Sequence, residues 1–210
     1  MNAELKRWLP ILALVALLNI PFLHLALTGP APVTAQLPFE DTFDRADLGP
    51  AWSSLGGAWR IVDGAVHAPG VRNNPLWLQA ALPRDVVVEF DVRSLAPDGD
   101  IKFEIFADGV RHASGYVCIF GGWKNTASVL ARLDEHGRDR KERRDRKVER
   151  GRTYRMRVER RGSKLSWFID NEPFLEWDDS APLYGEGHDR FGFSAWEVDL
   201  MFDNLRVEAL

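Results

Sequence analysis

Two patterns of apolar residues divide this chain. From Trp8 to Leu27 (WLPILALVALLNIPFLHLAL) no charged residue interrupts the run, whereas from Leu37 onward apolar and polar positions alternate with period two. A long apolar stretch behind Lys6 and Arg7 is the grammar of an export signal. Its length is about what a bilayer span requires. Pro10, Asn19, Pro21 and His24 weaken it, and two prolines fit poorly in a buried soluble helix. Residues 1–35 are therefore expected to form one hydrophobic helix, serving as a signal peptide or an N-terminal membrane anchor. Val33 and Ala35 form a small-residue cleavage site, so processing would leave Gln36 first. No cysteine lies nearby, which excludes a lipid anchor.

The second pattern predicts strands. DVVVEFDVRS puts Val86, Val88, Phe90 and Val92 on one face and Val87, Glu89, Asp91 and Arg93 on the other, and DIKFEIFADG repeats this with Ile101, Phe103 and Ile105 inward. TYRMRVERRGSKLSWFIDNEPFLEW reads as three strands, with Tyr154, Met156 and Val158, then Leu165, Trp167 and Ile169, turned inward. Arg161-Gly162-Ser163 and Asp170-Asn171 are the turns, the latter a pair that tolerates positive φ. RFGFSAW and LMFDNLRVEAL close the chain. Short strands at this spacing, with no long amphipathic helix, predict an all-β fold. The expected class is one antiparallel β-sandwich (jelly roll) over residues 36–210, behind the N-terminal hydrophobic helix.

Composition refines this only in places. Eight Trp and 12 Phe are a heavy aromatic load, and Trp52, Trp59 and Trp167 are expected in the core. A formal charge of -4 argues against a general nucleic-acid binder. The single cysteine, Cys118, permits no internal disulfide and alternates in phase with Tyr116 and Phe120 as a small buried hydrophobe. Residues 138–152 carry a net +5 while the rest of 36–210 carries -10. Because acids are interspersed, that basic run reads as a solvated hairpin with cross-strand charge pairs rather than an anion-binding patch.

The opening FEDTFDRADLGPAWSSLGGAWRIVDGAV and the ending LSWFIDNEPF through FGFSAWEVDLMFDNLRV resemble the first and last strands of concanavalin A-like (laminin-G-like) jelly rolls. Within that superfamily the chain is most similar to the bacterial 3-keto-disaccharide hydrolase-like module. The resemblance implies a carbohydrate-related role.

Catalytic residues are not identified by motif. Glycosidases need two carboxylates facing one cleft. A retaining family of this superfamily carries three acids on one strand, and here Glu197 and Asp199 are in phase but Met201 and Phe202 stand where the third belongs. Asp100 and Glu104 form a second in-phase pair, readable as the solvent side of an alternating strand. The five histidines show no metal-ligand spacing. Hard cations need several oxygens, and first and last jelly-roll strands often lie side by side. Asp41 and Asp44 with Asp203 and Asn204 are thus candidate ligands for a structural calcium, or simply turn caps.

The remaining candidate is GYVCIFGGWKN. Gly121-Gly122 clears space before Trp123, and sugar sites pair an aromatic wall with a few placed polar groups. Tyr116, Trp123, Asn125, Arg132, His188 and Trp196 are the expected ligand-binding set on the concave sheet, with a glycan or oligosaccharide as partner. The expected function is glycan binding by an exported protein (periplasmic, cell-envelope, secreted or held at the inner membrane). A glycoside-cleaving enzyme and a structural envelope domain are the competing classes. A carboxylate pair inside the groove that holds Trp123 would favour the enzyme.

Overall fold

The computed structural model describes residues 3–27 and 32–210. The helix α1 (Ala3–Leu27) is one compact unit, with the side chains from Trp8 to Ile20 exposed. Among the described residues no helix is long and apolar enough to cross a membrane.

The second unit contains fifteen strands, β1 (Phe39–Asp41), β2 (Trp52–Ser53), β3 (Arg60–Val62), β4 (Ala65–Pro69), β5 (Leu76–Leu78), β6 (Val86–Ser94), β7 (Ile101–Ala107), β8 (Tyr116–Gly121), β9 (Ala127–Arg132), β10 (Arg140–Arg143), β11 (Thr153–Arg161), β12 (Lys164–Ile169), β13 (Glu172–Asp178), β14 (Arg190–Ser194) and β15 (Asp199–Ala209). They form two antiparallel sheets. One runs β13-β12-β11-β6-β15-β4-β3, with β1 also pairing β15, and the other runs β10-β9-β8-β7-β14-β5-β2. The fold is thus the expected all-β sandwich.

The inward sets come from both sheets, as the alternation predicts. Val88, Phe90, Val92, Ile101, Phe103, Ile105, Met156, Val158, Trp167 and Ile169 are all buried in one core. Trp167 meets Phe103 and Phe174 edge-on, at 5.3 and 4.8 Å between centroids. Trp52, Trp59 and Cys118 are buried there too. Arg160 keeps the inward phase of β11, and its guanidinium stacks 3.7 Å over Phe106.

The basic segment pairs as expected, β10 lying along β9 as the edge strand of its sheet. One ion pair is the expected cross-strand kind, Arg132 of β9 to Asp139 at 4.0 Å. The others run between neighbours on the same segment (Arg140 and Arg144 to Glu142, Arg143 to Asp145) or reach the Asp170 turn from Arg146 and Arg152. The reason is register: Arg140 to Arg143 face Ala131, Leu130, Val129 and Ser128, which offer no charge.

Candidate functional site

The seven-stranded sheet turns Ile101, Phe103 and Ile105 toward the core, so Lys102 and Glu104 of β7 point to its outer face. Alternation would place those charges in water. Instead they are almost fully buried, because the β7–β8 and β9–β10 loops fold over them. Lys102 Nζ lies 3.0 Å from Glu135 Oε2 and 3.0 Å from Asn73 Oδ1. His112 bridges Glu104 and Glu135, with Nδ1 2.6 Å from Glu104 Oε1 and Nε2 3.3 Å from Glu135 Oε2. Burial alone would discharge the imidazole, but the two carboxylates outweigh it and hold His112 protonated up to about 9. Glu135 likewise overcomes its burial through His112 and Lys102, which hold it down at about 2. Two anions and two cations thus balance beneath the surface, the condition for keeping charges in a protein interior.

Beside this cluster lies a cavity of about 400 Å³, walled by Trp123 and Trp196 with Ile119 and Val198, and floored by Asn73, Asp100, Lys102 and Glu135. Asp98, Lys124, His136 and Glu197 complete the rim. Both tryptophans are part exposed, at 38% and 44%. His136 meets Trp123 edge-on, and Arg140 sits 5.5 Å from its ring centroid. Glu197 is paired with Arg72 at 2.5 Å. The buried Oδ1 of Asp100 has no hydrogen-bond partner, and unlike Glu135 this carboxylate has no ion pair either among the described residues. Burial raises its pKa to about 6, with Glu135 adding to the rise and Lys102 opposing it.

The backbone marks the same place. Fourteen non-glycine residues among those described have positive φ, and five of the thirteen lining this cavity are among them: Asn73, Asp100, Trp123, Lys124 and Glu197. Left-handed backbone is costly for bulky L-residues, and such strain concentrates where side chains must be aimed for function. At Trp123 the sequence builds the turn from glycine outward. Gly121 is itself left-handed (φ 70), and a Cβ there would collide with Asn125 Oδ1 and meet Val148 Cγ2 at 2.7 Å. A Cβ on Gly122 would meet Ile119 Cγ2 at 2.7 Å. The two glycines therefore make room for the protein's own chain rather than for a ligand, and the tight turn throws Trp123 outward.

Of the six residues expected to bind ligand, the structure brings Trp123 and Trp196 together. Asn125 is spent on the turn, accepting from Val148 N at 2.8 Å and donating to Val148 O at 2.7 Å. Tyr116 is a correction, because the inward phase of β8 buries its ring and its hydroxyl donates to Asp179 at 2.5 Å. Arg132 sits opposite Tyr116 in the register and holds the same Asp179 at 3.2 Å, at the far end of β8 from Trp123. His188 borders a different cavity with Asp108, Arg111 and Ser114. Of the proposed calcium ligands, Asp203 lies near enough to Asp44 for burial and the charges of Asp91 and Asp44 to raise its pKa, while the others are engaged within the fold. Asp41 gives its carboxylate to Arg45, Trp52 Nε1 and Phe43 N, and Asp44 accepts from Thr42. Asn204 donates to Asp91 at 2.8 Å. Among the described residues no group of three or more His, Cys, Asp or Glu side chains is placed to hold a metal ion. Asp199 faces His67 at 4.0 Å, away from the cavity that Glu197 lines.

Sequence reading missed Lys102, His112, Glu135 and His136. Lys102 and Glu104 share the phase of the Asp100 pair, which was the available signal. Nothing local in LARLDEHG marks Glu135 as buried.

No protein-family model matches the chain, and no curated protein sequence does either. Solved structures do match in fold. A carbohydrate-binding module of Bacillus subtilis, CBM66, superposes with a TM-score of 0.62 at 15% identity, over 76% of this chain and 96% of the module. The carbohydrate recognition domain of Emp47p gives 0.61 at 12% identity, over 82% and 96%. A β-glucanase of Bacillus licheniformis gives 0.62 at 9% identity, over 82% and 98%. The fold is that of the concanavalin A-like jelly rolls.

Proposed function

We propose that the protein binds a glycan in the cavity between Trp123 and Trp196. The observation that carries this is their convergence on one polar-floored cavity from loops far apart in sequence, with left-handed backbone at Trp123 spent on exposing its ring. Flat aromatic faces suit the C–H faces of sugars, and Asn73, Asp100 and His136 offer partners for hydroxyls. Fold neighbours named as carbohydrate-binding and glucan-cleaving proteins support the same partner class. The narrower kinship with 3-keto-disaccharide hydrolase-like modules rests on sequence resemblance alone. The test is a glycan-array screen of the protein. Binding that Trp123→Ala removes supports the reading, and an array without signal overturns it.

We propose further that the chain is exported, on the grammar of its first 35 residues. N-terminal sequencing of native protein begins at Gln36 if the segment is cleaved and at Met1 in the membrane fraction if it is retained. Full-length chain in the soluble cytoplasm contradicts both.

A further inference from the structure

We propose that this cavity also cleaves the glycan it holds, with Asp100 as proton donor and Glu135 as the ionised carboxylate at the anomeric carbon. This rests on the glycan reading above and adds a reaction to it. The pair lies apart from the Glu197-Val198-Asp199 stretch in which a strand motif would fall, and it comes from two segments: Asp100 precedes β7, and Glu135 sits between β9 and β10.

Geometry gives the two carboxyl groups opposite conditions inside one cavity. Asp100 is fixed by its backbone, at φ 52, with its N–H donating to Gly121 O at 2.9 Å, which ties it to the turn that presents Trp123. Its side chain is committed to nothing, since Oδ1 is buried without a partner. Glu135 is the reverse, clamped by Lys102 at 3.0 Å and His112 at 3.3 Å. A clamped carboxylate keeps its charge, and a sequestered uncommitted one keeps its proton. Burial and the Glu135 charge raise Asp100 to about 6, while Glu135 stays ionised down to about 2. Two titratable groups pushed apart in one site are the mark of an acid and its ionised partner, and glycoside cleavage needs that pair. The other charges facing Asp100 are Lys102 on β7, which Asp100 precedes, and His112 from the β7–β8 loop.

The chemistry balances without a co-reactant other than water. Asp100 gives its proton to the bridging oxygen as the C1–O bond breaks with its electron pair, releasing one alcohol. A Glu135 oxygen forms a bond to C1. Water then adds to C1, Glu135 leaves with its electron pair, and the water proton returns to Asp100. Lys102 and His112 are positioning residues that keep Glu135 charged.

The experiment takes a glycan that the array shows bound and follows new reducing ends between pH 4 and 8, with product anomers read by NMR. The expected result is cleavage with retained configuration, at a rate that falls as pH rises through about 6. Asp100→Asn lowers the rate by about 10²–10⁴-fold, the usual share of a general acid, while melting as a folded protein. Because Glu135→Gln unbalances the buried cluster, Glu135→Asp serves as the second variant, and a large rate loss with a cooperative melt agrees with its role. A glycan that is bound but uncleaved, or full activity in Asp100→Asn, overturns the catalytic proposal alone. Absence of any bound glycan overturns the binding reading with it.

Discussion

Lys102 Nζ stands 3.0 Å from Glu135 Oε2, with the two side chains only 2% and 9% exposed, on a sheet face where alternation calls for water. Both members of the pair line the cavity, and the β9–β10 loop that supplies Glu135 also brings His136 to its rim, so the charge pair is where fold and site meet. Removing one partner of a buried pair leaves the other charge unsolvated, which typically costs about 3–5 kcal/mol, whereas replacing both with apolar residues is often neutral. Lys102→Met is therefore expected to destabilise the protein by that amount in urea unfolding. Lys102→Met with Glu135→Leu is expected to recover most of it. Equal loss in both variants contradicts the pairing.

Stability is expected to depend on pH through three groups of this cluster. Asp100 is raised from 3.8 to about 6, so the folded state holds its proton more tightly, and its contribution is full below pH 4 and lost as pH rises through 6. Asp100→Asn should then stabilise the protein at pH 7 by up to about 2–3 kcal/mol, at 1.36 kcal/mol per pKa unit, and change little near pH 3.5. His112 is raised from 6.5 to about 9, so its stabilisation is present below 6.5 and disappears through 9. Glu135 is lowered from 4.5 to about 2, so its share is present above 4.5 and lost on acidification toward 2. Melting temperatures of His112→Gln should lack the decline between pH 6.5 and 9 that the parent protein is expected to show. An alkaline limb that survives this substitution rules His112 out as its source.

Trp123 and Trp167 should separate in denaturant. Trp167 is fully buried against Phe103 and Phe174, and truncation to Ala is expected to cost about 3–5 kcal/mol. Trp123 is 38% exposed and touches the fold mainly through His136 and Arg140, so Trp123→Ala should cost less than about 1.5 kcal/mol. Similar melting of the two variants makes Trp123 a structural residue.

Cys118 lies in the core with no exposed surface, and burial raises its thiol well above the ordinary range. Thiolate is the reactive form. A thiol reagent should therefore leave the folded protein unlabelled and modify it fully once denaturant is added. Rapid labelling in native buffer would mean that β8 opens on its own.

Much of the sandwich was legible because period two is enforced by a two-sided core. Val88, Phe90 and Val92 face inward for the same reason that Arg93 faces out. The site was legible only in its aromatics, since a Gly-Gly-Trp turn announces itself locally. Tyr116 misled because the phase that buries Cys118 buries it too, and its hydroxyl found Asp179, 63 residues away, rather than a ligand. The charged floor was hidden because alternation reports which face a residue takes, not whether a loop will later cover that face. Lys102, Glu104 and Glu135 are polar in sequence and buried in space for that reason.

The central claim is that Trp123 and Trp196 form the two walls of one glycan site. Calorimetric titration of an array-positive oligosaccharide into the parent protein, Trp123→Ala and Trp196→Ala tests it most directly. Stacking of a nucleobase on an aromatic side chain is worth about 1–3 kcal/mol, and a sugar face losing a similar amount would weaken binding about fivefold to more than a hundredfold in each variant, with the cooperative melt kept. Undiminished affinity in both variants contradicts the claim and moves the binding site elsewhere on the molecule.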